Sequence, residues 1–302
     1  MTTQKGLKHL ISIDKLSTSD IDKIFNHECN HNFRLNHVNV GLLFYENSTR
    51  TRCSFELAAK LLGYNVINLN LDTSAEVKGE TVFDTVANLV TMGINVLVIR
   101  HQRENLVKEL VKKFGHQVHF VNAGNGCDEH PSQALIDYYT MMKEIEKLEK
   151  VIIIGDVLHS RVARSNVKLL TKYGIDLHLV GPVELLPKEI HNCPFTSHTK
   201  LIDGIKNANI VMCLRDQIER YDIKQSSIKD IIKGVSEEHA YKLTRELVEK
   251  YCPEAKIMHP GPVNRGKEIT SDLVDDQKLS LILKQVENSV PVRVGIFEWL
   301  LN

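Results

Sequence analysis

The chain has 302 residues, 42% hydrophobic and 25% charged, an ordinary globular composition that excludes disorder, collagen-like repeats and coiled coil. Its 38 Lys+Arg balance 38 Asp+Glu, so no broad basic field invites nucleic acid, and any tight cluster of arginine stands out. The six cysteines are widely spaced with no C-x-x-C pair, against a zinc ribbon or redox motif. No apolar run reaches signal-peptide or membrane-spanning length, so the expectation is a cytoplasmic protein with reduced thiols and no membrane or nucleic-acid partner.

In chain order, short β-branched runs alternate with longer amphipathic segments. Strands are predicted at Val38–Phe44, Asn65–Leu69, Asn95–Ile99 and Val118–Val121, with helices near 49–62, 80–92 and 103–114 between them. Gly63 and Gly115 stand where those helices should end. A long helical segment, Ser132–Glu149, then leads to a second series with strands at Val151–Ile154, Asp176–Val180, Asn209–Leu214 and Lys256–Met258. Repeated βα alternation predicts an α/β fold of two domains, each a parallel β-sheet flanked by helices, with a helix rather than a flexible linker joining them.

Parallel sheets bind ligands at the carboxyl ends of their strands, so the residues just past each strand carry the functional signal. After Phe44 come Glu46-Asn47-Ser48-Thr49-Arg50-Thr51-Arg52, and after Ile99 come Arg100-His101. After Val121 a Gly-rich turn ends in His130-Pro131-Ser132-Gln133. In the second half Arg161 follows Ile154, Arg215 with Gln217 follows Leu214, and His259-Pro260-Gly261-Pro262 follows Met258. Arg or His at so many strand ends predicts an anion site. Hydroxyls, arginines and unpaired N–H groups at the start of the helix opened by Ser48 form a phosphate cradle, with Arg52 assigned a structural role through Glu56 at i+4.

Ser48-Thr49-Arg50-Thr51-Arg52 resembles the carbamoyl-phosphate signature of the aspartate and ornithine carbamoyltransferases, and the likeness continues in order along almost the whole chain. His130-Pro131-Ser132-Gln133 looks like the family's His-Pro-Thr-Gln box, and His259-Pro260-Gly261-Pro262 like the proline loop of its aspartate branch. The His-Cys-Leu-Pro and Ser-Met-Gly loops typical of the ornithine branch are missing. The resemblance implies domains at residues 1–135 with 286–302, binding carbamoyl phosphate, and 136–285, binding aspartate. It also implies a C-terminal helix packed back on the first domain.

The implied activity is carbamoyl transfer from carbamoyl phosphate to L-aspartate, an early step of pyrimidine biosynthesis, without a cofactor or metal. Residue by residue, Ser48, Thr49, Arg50, Thr51 and Arg100 would hold the phosphate. His130 would bind the carbamoyl carbonyl, with Gln133 and the backbone of Gly261 and Pro262 on the amide. Arg161, Arg215 and Gln217 would clamp the aspartate carboxylates. Thr51, Lys78, Arg100 and His130 would be catalytic, and closure of the domains would exclude water. Ser74 and Lys78, in the loop Ser74-Ala75-Glu76-Val77-Lys78-Gly79-Glu80, would reach a neighbouring subunit's site, bind carbamoyl phosphate and aspartate respectively, and make the enzyme a homotrimer with shared sites. A regulatory or other pathway-enzyme chain is a further partner of such enzymes.

Two alternatives compete. One is an ornithine-type or other carbamoyltransferase. The other is the H-E-x-x-H match His27-Glu28-Cys29-Asn30-His31, a zinc metallopeptidase pattern that needs both histidines on one face of a stable helix. The helix predicted before it runs into Asn30 and Asn32, poor helix formers, so the match is read as coincidental.

Overall fold

The computed structural model of the chain describes residues 6–27, 37–69, 79–215 and 241–302. It divides into two units, residues 1–135 with 288–302, and residues 136–287. The chain leaves the first unit within the helix Pro131–Glu144 and returns to it within the helix Ile282–Leu301.

The first unit is built on strands β1 (Asn39–Phe44), β2 (Asn65–Leu69), β3 (Val96–His101) and β4 (His119–Asn125), in the order β2-β1-β3-β4. Every pairing is parallel. Val96, Leu97, Val98 and Ile99 of β3 are all fully buried, the mark of a strand covered on both faces. Helices α1 (Thr18–Phe25), α2 (Thr49–Leu61), α3 (Val82–Thr91) and α4 (Leu106–Phe114) accompany the sheet, and α5 (Pro131–Glu144) begins in this unit and continues into the second. Leu43, Leu97, Ile99 and Phe120 pack with Val86 and Leu89 of α3 and Leu110 of α4 in one core cluster.

The helix starts follow from local chemistry. Ser17 with Asp20, and Thr81 with Asp84, form reciprocal capping boxes that satisfy first-turn N–H groups of α1 and α3. At the end of α2 the Gly63 N–H donates to the Lys60 carbonyl and the Tyr64 N–H to that of Ala59. This double closure needs a left-handed residue, and Gly63 has φ +74°. Gly115 also ends its helix, but with φ −66°. Its glycine is required by space: a Cβ would stand 2.5 Å from the Val111 carbonyl oxygen.

The C-terminal part of Ile282–Leu301 packs on the first unit. Phe297 meets Phe55 edge-on at 5.8 Å and Tyr64 at 6.1 Å, and the Trp299 indole N–H donates to Asp20 at 2.9 Å. Phe55 is wholly buried, so Phe55→Ala would cost about 3–5 kcal/mol.

The second unit carries β5 (Lys150–Ile154), β6 (Asp176–Val180), β7 (Thr196–His198), β8 (Ile210–Cys213) and β9 (Lys256–Met258), all parallel, in the order β7-β6-β5-β8-β9. Helix α6 (Arg161–Lys172) follows β5. Ile152, Ile154, Val211, Cys213 and Ile257 of the sheet join Leu201, Ile205 and Val248 in its core. β7 goes beyond the expected strands: its three residues are polar, Thr196 and Ser197 exposed and His198 half-buried, with no apolar periodicity to betray them. The predicted helix Ser132–Glu149 stops at Glu144, and α1 ends at Phe25.

In both sheets successive strands first add on one side and then on the other. The first sheet reverses between β1 and β3, the second between β5 and β8. At such a switch point the connecting loops diverge and open a crevice beyond the strands' carboxyl ends.

Candidate active site

The first switch point is flanked by the β1–α2 turn and the end of β3. Phe44 and Arg100 are register partners there, and the Tyr45 N–H donates to the Arg100 carbonyl at 2.9 Å. The turn that carries Ser48, Thr49, Arg50 and Thr51 therefore starts beside Arg100, at the same end of the sheet. Ser48 is the N-cap of α2, yet its hydroxyl makes no capping hydrogen bond. Ser17, Thr81 and Ser160 do cap their helices. The first turn of α2 also lacks an acid, whereas α1, α3 and α4 each have one. Among the helix N-termini described, that of α2 therefore carries neither a hydroxyl cap nor a first-turn acid against its positive end.

Arg50 is exposed and Thr51 is buried at 6% exposure. Arg52 lies over the Phe44 ring at 5.5 Å. Glu56, the expected partner of Arg52, accepts from Lys60 at 2.6 Å and from Asn68 at 2.8 Å, and these bonds hold its carboxyl below the usual range. Arg52 contributes to that lowering through its charge, so it serves Glu56 at a distance while its guanidinium rests on the Phe44 ring.

Arg100 Nε donates to Glu46 Oε2 at 3.1 Å, with both side chains largely shielded. Glu46 lies in the predicted loop, but nothing local marks a lone glutamate as the partner of an arginine 54 residues away.

His130 follows β4 and precedes Pro131, the first residue of α5, a position where proline costs no hydrogen bond. Its carbonyl accepts from the N–H groups of Gln133 and Ala134 at 3.0 and 3.3 Å. It is 4% exposed, while Gln133 is half-buried. β1, β3 and β4 are adjacent, so the Ser48–Thr51 turn, Arg100, His130 and Gln133 share the same edge of one sheet.

The second unit repeats the arrangement. Arg161 opens α6 after β5 and is 2% exposed, and Arg215 lies just past β8, half-buried. The two arginines flank the second switch point. Gly261 and Pro262 follow β9, joined by a cis peptide bond. The Gly261 N–H donates to His259 Nδ1 at 2.8 Å, so the proton of a neutral His259 sits on Nε2, 3.1 Å from Glu268 Oε1. Glu268 Oε1 also accepts from the Asn264 N–H, and the His259 N–H donates to Gln285. That bonding ties the proline loop down at three points.

Ser74, Lys78 and Gln217 lie outside the described residues, as do Glu28 to His31. His27 comes after the end of α1, where its Nδ1 bonds the Ile24 carbonyl at 2.9 Å. Among the described residues no group of three or more His, Cys, Asp or Glu side chains could hold a metal, and no helix is long and apolar enough to cross a membrane. Burial pushes the Cys213 thiol up and the Cys252 thiol to about 11, so neither is a nucleophile at neutral pH. Among the described residues the strand ends offer arginine, hydroxyl, imidazole and a helix N-terminus, groups suited to binding anions and stabilising negative charge.

Residues 8–143 match the model of the aspartate/ornithine carbamoyltransferase carbamoyl-P binding domain, and residues 147–300 that of the Asp/Orn binding domain. The chain is 42% identical over 276 residues to the aspartate carbamoyltransferase catalytic subunit of Acaryochloris marina, covering 87% of this chain and 84% of the relative. It is 39% identical over 304 residues to that of Legionella pneumophila strain Paris, covering 98% and 99%. The crystal structure of aspartate transcarbamoylase from Trypanosoma cruzi with carbamoyl phosphate and aspartate superposes with a TM-score of 0.84 at 25% identity, over 97% of this chain and 96% of that one. Ornithine carbamoyltransferase from Pyrococcus furiosus shares the fold, with a TM-score of 0.80 at 22% identity over 98% and 97% of the two chains.

Proposed function

The chain belongs to the aspartate/ornithine carbamoyltransferase family, and from that premise we propose that it is an aspartate carbamoyltransferase. It transfers the carbamoyl group of carbamoyl phosphate to the amine of L-aspartate, giving N-carbamoyl-L-aspartate and phosphate, in pyrimidine biosynthesis. The observation that carries this reading is the pair Arg161 and Arg215 at the second switch point, two cationic forks for a substrate with two carboxylates. Ornithine, with a cationic side chain, mismatches that pair.

Arg50, Thr51 and Arg100, with Ser48 and Thr49 at the N-terminus of α2, bind the phosphate. His130 binds the carbamoyl carbonyl, and Gln133 with the backbone of Gly261 and Pro262 binds the amide. Arg161, Arg215 and Gln217 hold aspartate. The amine attacks the carbamoyl carbon, and the C–O bond to phosphate breaks as the tetrahedral intermediate collapses. His130, Arg100 and Thr51 stabilise the oxyanion, the type of preorganised interaction that commonly supplies the largest catalytic effect. The departing phosphate accepts the amine proton, so no covalent enzyme intermediate is needed.

The enzyme works in the cytoplasm as a homotrimer in which Ser74 and Lys78 serve a neighbour's site. Exposed Leu57 and Leu61 on α2 and Ile67 on the edge strand β2 support association through the first unit. The test is an assay of purified protein with carbamoyl phosphate and either aspartate or ornithine. Aspartate-dependent phosphate release without ornithine turnover is expected; ornithine turnover at an equal or greater rate would overturn the assignment.

A further inference from the structure

We propose, resting on that reading of the function, that Glu129 is the positioning residue for His130. Glu129 is 1% exposed and is bonded on every side. Its Oε1 accepts from the Ser12 hydroxyl at 2.6 Å and its Oε2 from the Ile13 N–H at 2.8 Å. Its own N–H donates to Asn125 Oδ1 at 3.1 Å, and its carbonyl accepts from the Asn125 N–H at 3.0 Å. Ser12 is held in turn, because its oxygen accepts from the Asp14 N–H at 3.1 Å.

The anchor is rigid in its own right. Leu10 pairs with β4 through the Leu10 N–H to the Phe120 carbonyl, 2.9 Å, and the Asn122 N–H to the Leu10 carbonyl, 2.8 Å. Asn122 Nδ2 donates to the Ile11 carbonyl at 3.1 Å and to Asn125 Oδ1 at 2.8 Å. His130 is therefore gripped from both sides, by α5 through its carbonyl and by Glu129 through the preceding peptide. Burying a carboxylate is unfavourable unless it is fully hydrogen-bonded. Here the charge-assisted bonds, stronger than neutral ones, are spent one residue from the imidazole.

A positioning role sets the location of the imidazole and leaves its identity unchanged. A displacement near 1 Å can cost about 100-fold in rate. Glu129→Ala is expected to lower kcat by roughly 10- to 100-fold with the KM for aspartate little changed. Glu129→Gln, which can still accept from Ile13, is expected to restore most of the loss. The His130 imidazole resonances in isotope-labelled protein, assigned with His130→Asn and followed with pH in the presence of inorganic phosphate, should move in Glu129→Ala and return in Glu129→Gln.

Wild-type kcat with unmoved resonances in Glu129→Ala would overturn the proposal. So would Glu129→Gln as impaired as Glu129→Ala, with an equal fall in melting temperature. Should Glu129→Ala fail to fold, Ser12→Ala removes one donor and should show the same changes at smaller amplitude; no change would overturn the proposal. If the wild type carries no aspartate-dependent transfer, the functional reading fails, and the resonances alone decide the positioning role in the same two directions.

Discussion

The guanidinium of Arg100, at the end of β3, donates to the carboxylate of Glu46 in the β1–α2 turn at 3.1 Å. Glu46 thus sets a carboxylate against Arg100 in the turn that leads into a helix lacking both a hydroxyl cap and a first-turn acid. Glu46 holds the fork in place and also competes for it. Glu46→Gln keeps a hydrogen-bond acceptor but removes the charge. We expect it to tighten binding of inorganic phosphate by a few-fold, as for the loss of a competing ion pair worth up to about 1 kcal/mol. Isothermal titration checks this; weaker phosphate binding would mean that Glu46 chiefly orients Arg100.

Removing His130 and removing Arg215 should fail in different kinetic constants. The bond from His130 strengthens as the oxyanion forms, so His130→Ala should lower kcat, by about 100- to 1,000-fold on the scale of one lost oxyanion donor. Arg215→Ala removes a charge-assisted contact worth about 1.5–3 kcal/mol, so the KM for aspartate should rise roughly 10- to 100-fold. Steady-state kinetics with both substrates varied separates them. A change confined to the aspartate KM in His130→Ala would remove His130 from its proposed role.

Sharing of sites predicts complementation. Lys78→Ala and Arg50→Ala chains should each be nearly inactive alone. In a closed ring of three, a Lys78→Ala chain next to an Arg50→Ala chain regains one intact site. Denaturing the two together and refolding should restore up to about one quarter of wild-type activity for equal random mixing. Trimers seen by light scattering without recovered activity would place Lys78 and Arg50 in the same chain's site.

Acid stability should depend on the N-terminal segment that supports Glu129. His9 Nδ1 accepts from the Phe120 N–H at 3.2 Å, and His119 Nδ1 bonds the Lys8 carbonyl at 2.9 Å. Burial pushes both imidazoles below 6.5, helped at His9 by neighbouring His119 and at His119 by the Lys8 charge. The unfolded chain therefore binds protons more readily than the folded one. The stability they contribute is present above about pH 6.5 and is lost as pH falls through the lowered folded values. Melting temperatures from pH 7.5 down to 5 should drop less in His9→Asn/His119→Asn than in wild type. Parallel curves would show that these histidines do not couple folding to pH.

Much of the fold was legible because its signals are local. Apolar runs such as Val151–Ile154 mark buried strands within a few residues, and Gly63 stands at its left-handed helix end. The βα alternation implied parallel sheets, and within each sheet the strands' carboxyl ends lie at one edge, so Arg50, Arg100, His130, Arg161 and Arg215 could be named as strand-end residues before any strand order was known. β7 escaped because Thr196, Ser197 and His198 are paired by their backbone to β6 and carry no apolar pattern.

What the amino-acid sequence determined by itself is therefore the set of elements and which side chains follow each strand, since propensity and periodicity act over a few residues. Only the tertiary structure decided which strands are neighbours, and hence that Arg100 flanks one switch point while Arg161 and Arg215 flank the other. It alone paired Glu46 with Arg100 across 54 residues, Glu129 with Ser12 across 117, and Gln285 with Asp137 across 148. Such partners meet through register and packing, and a buried carboxylate finds its donors only where the folded chain brings them within hydrogen-bond reach.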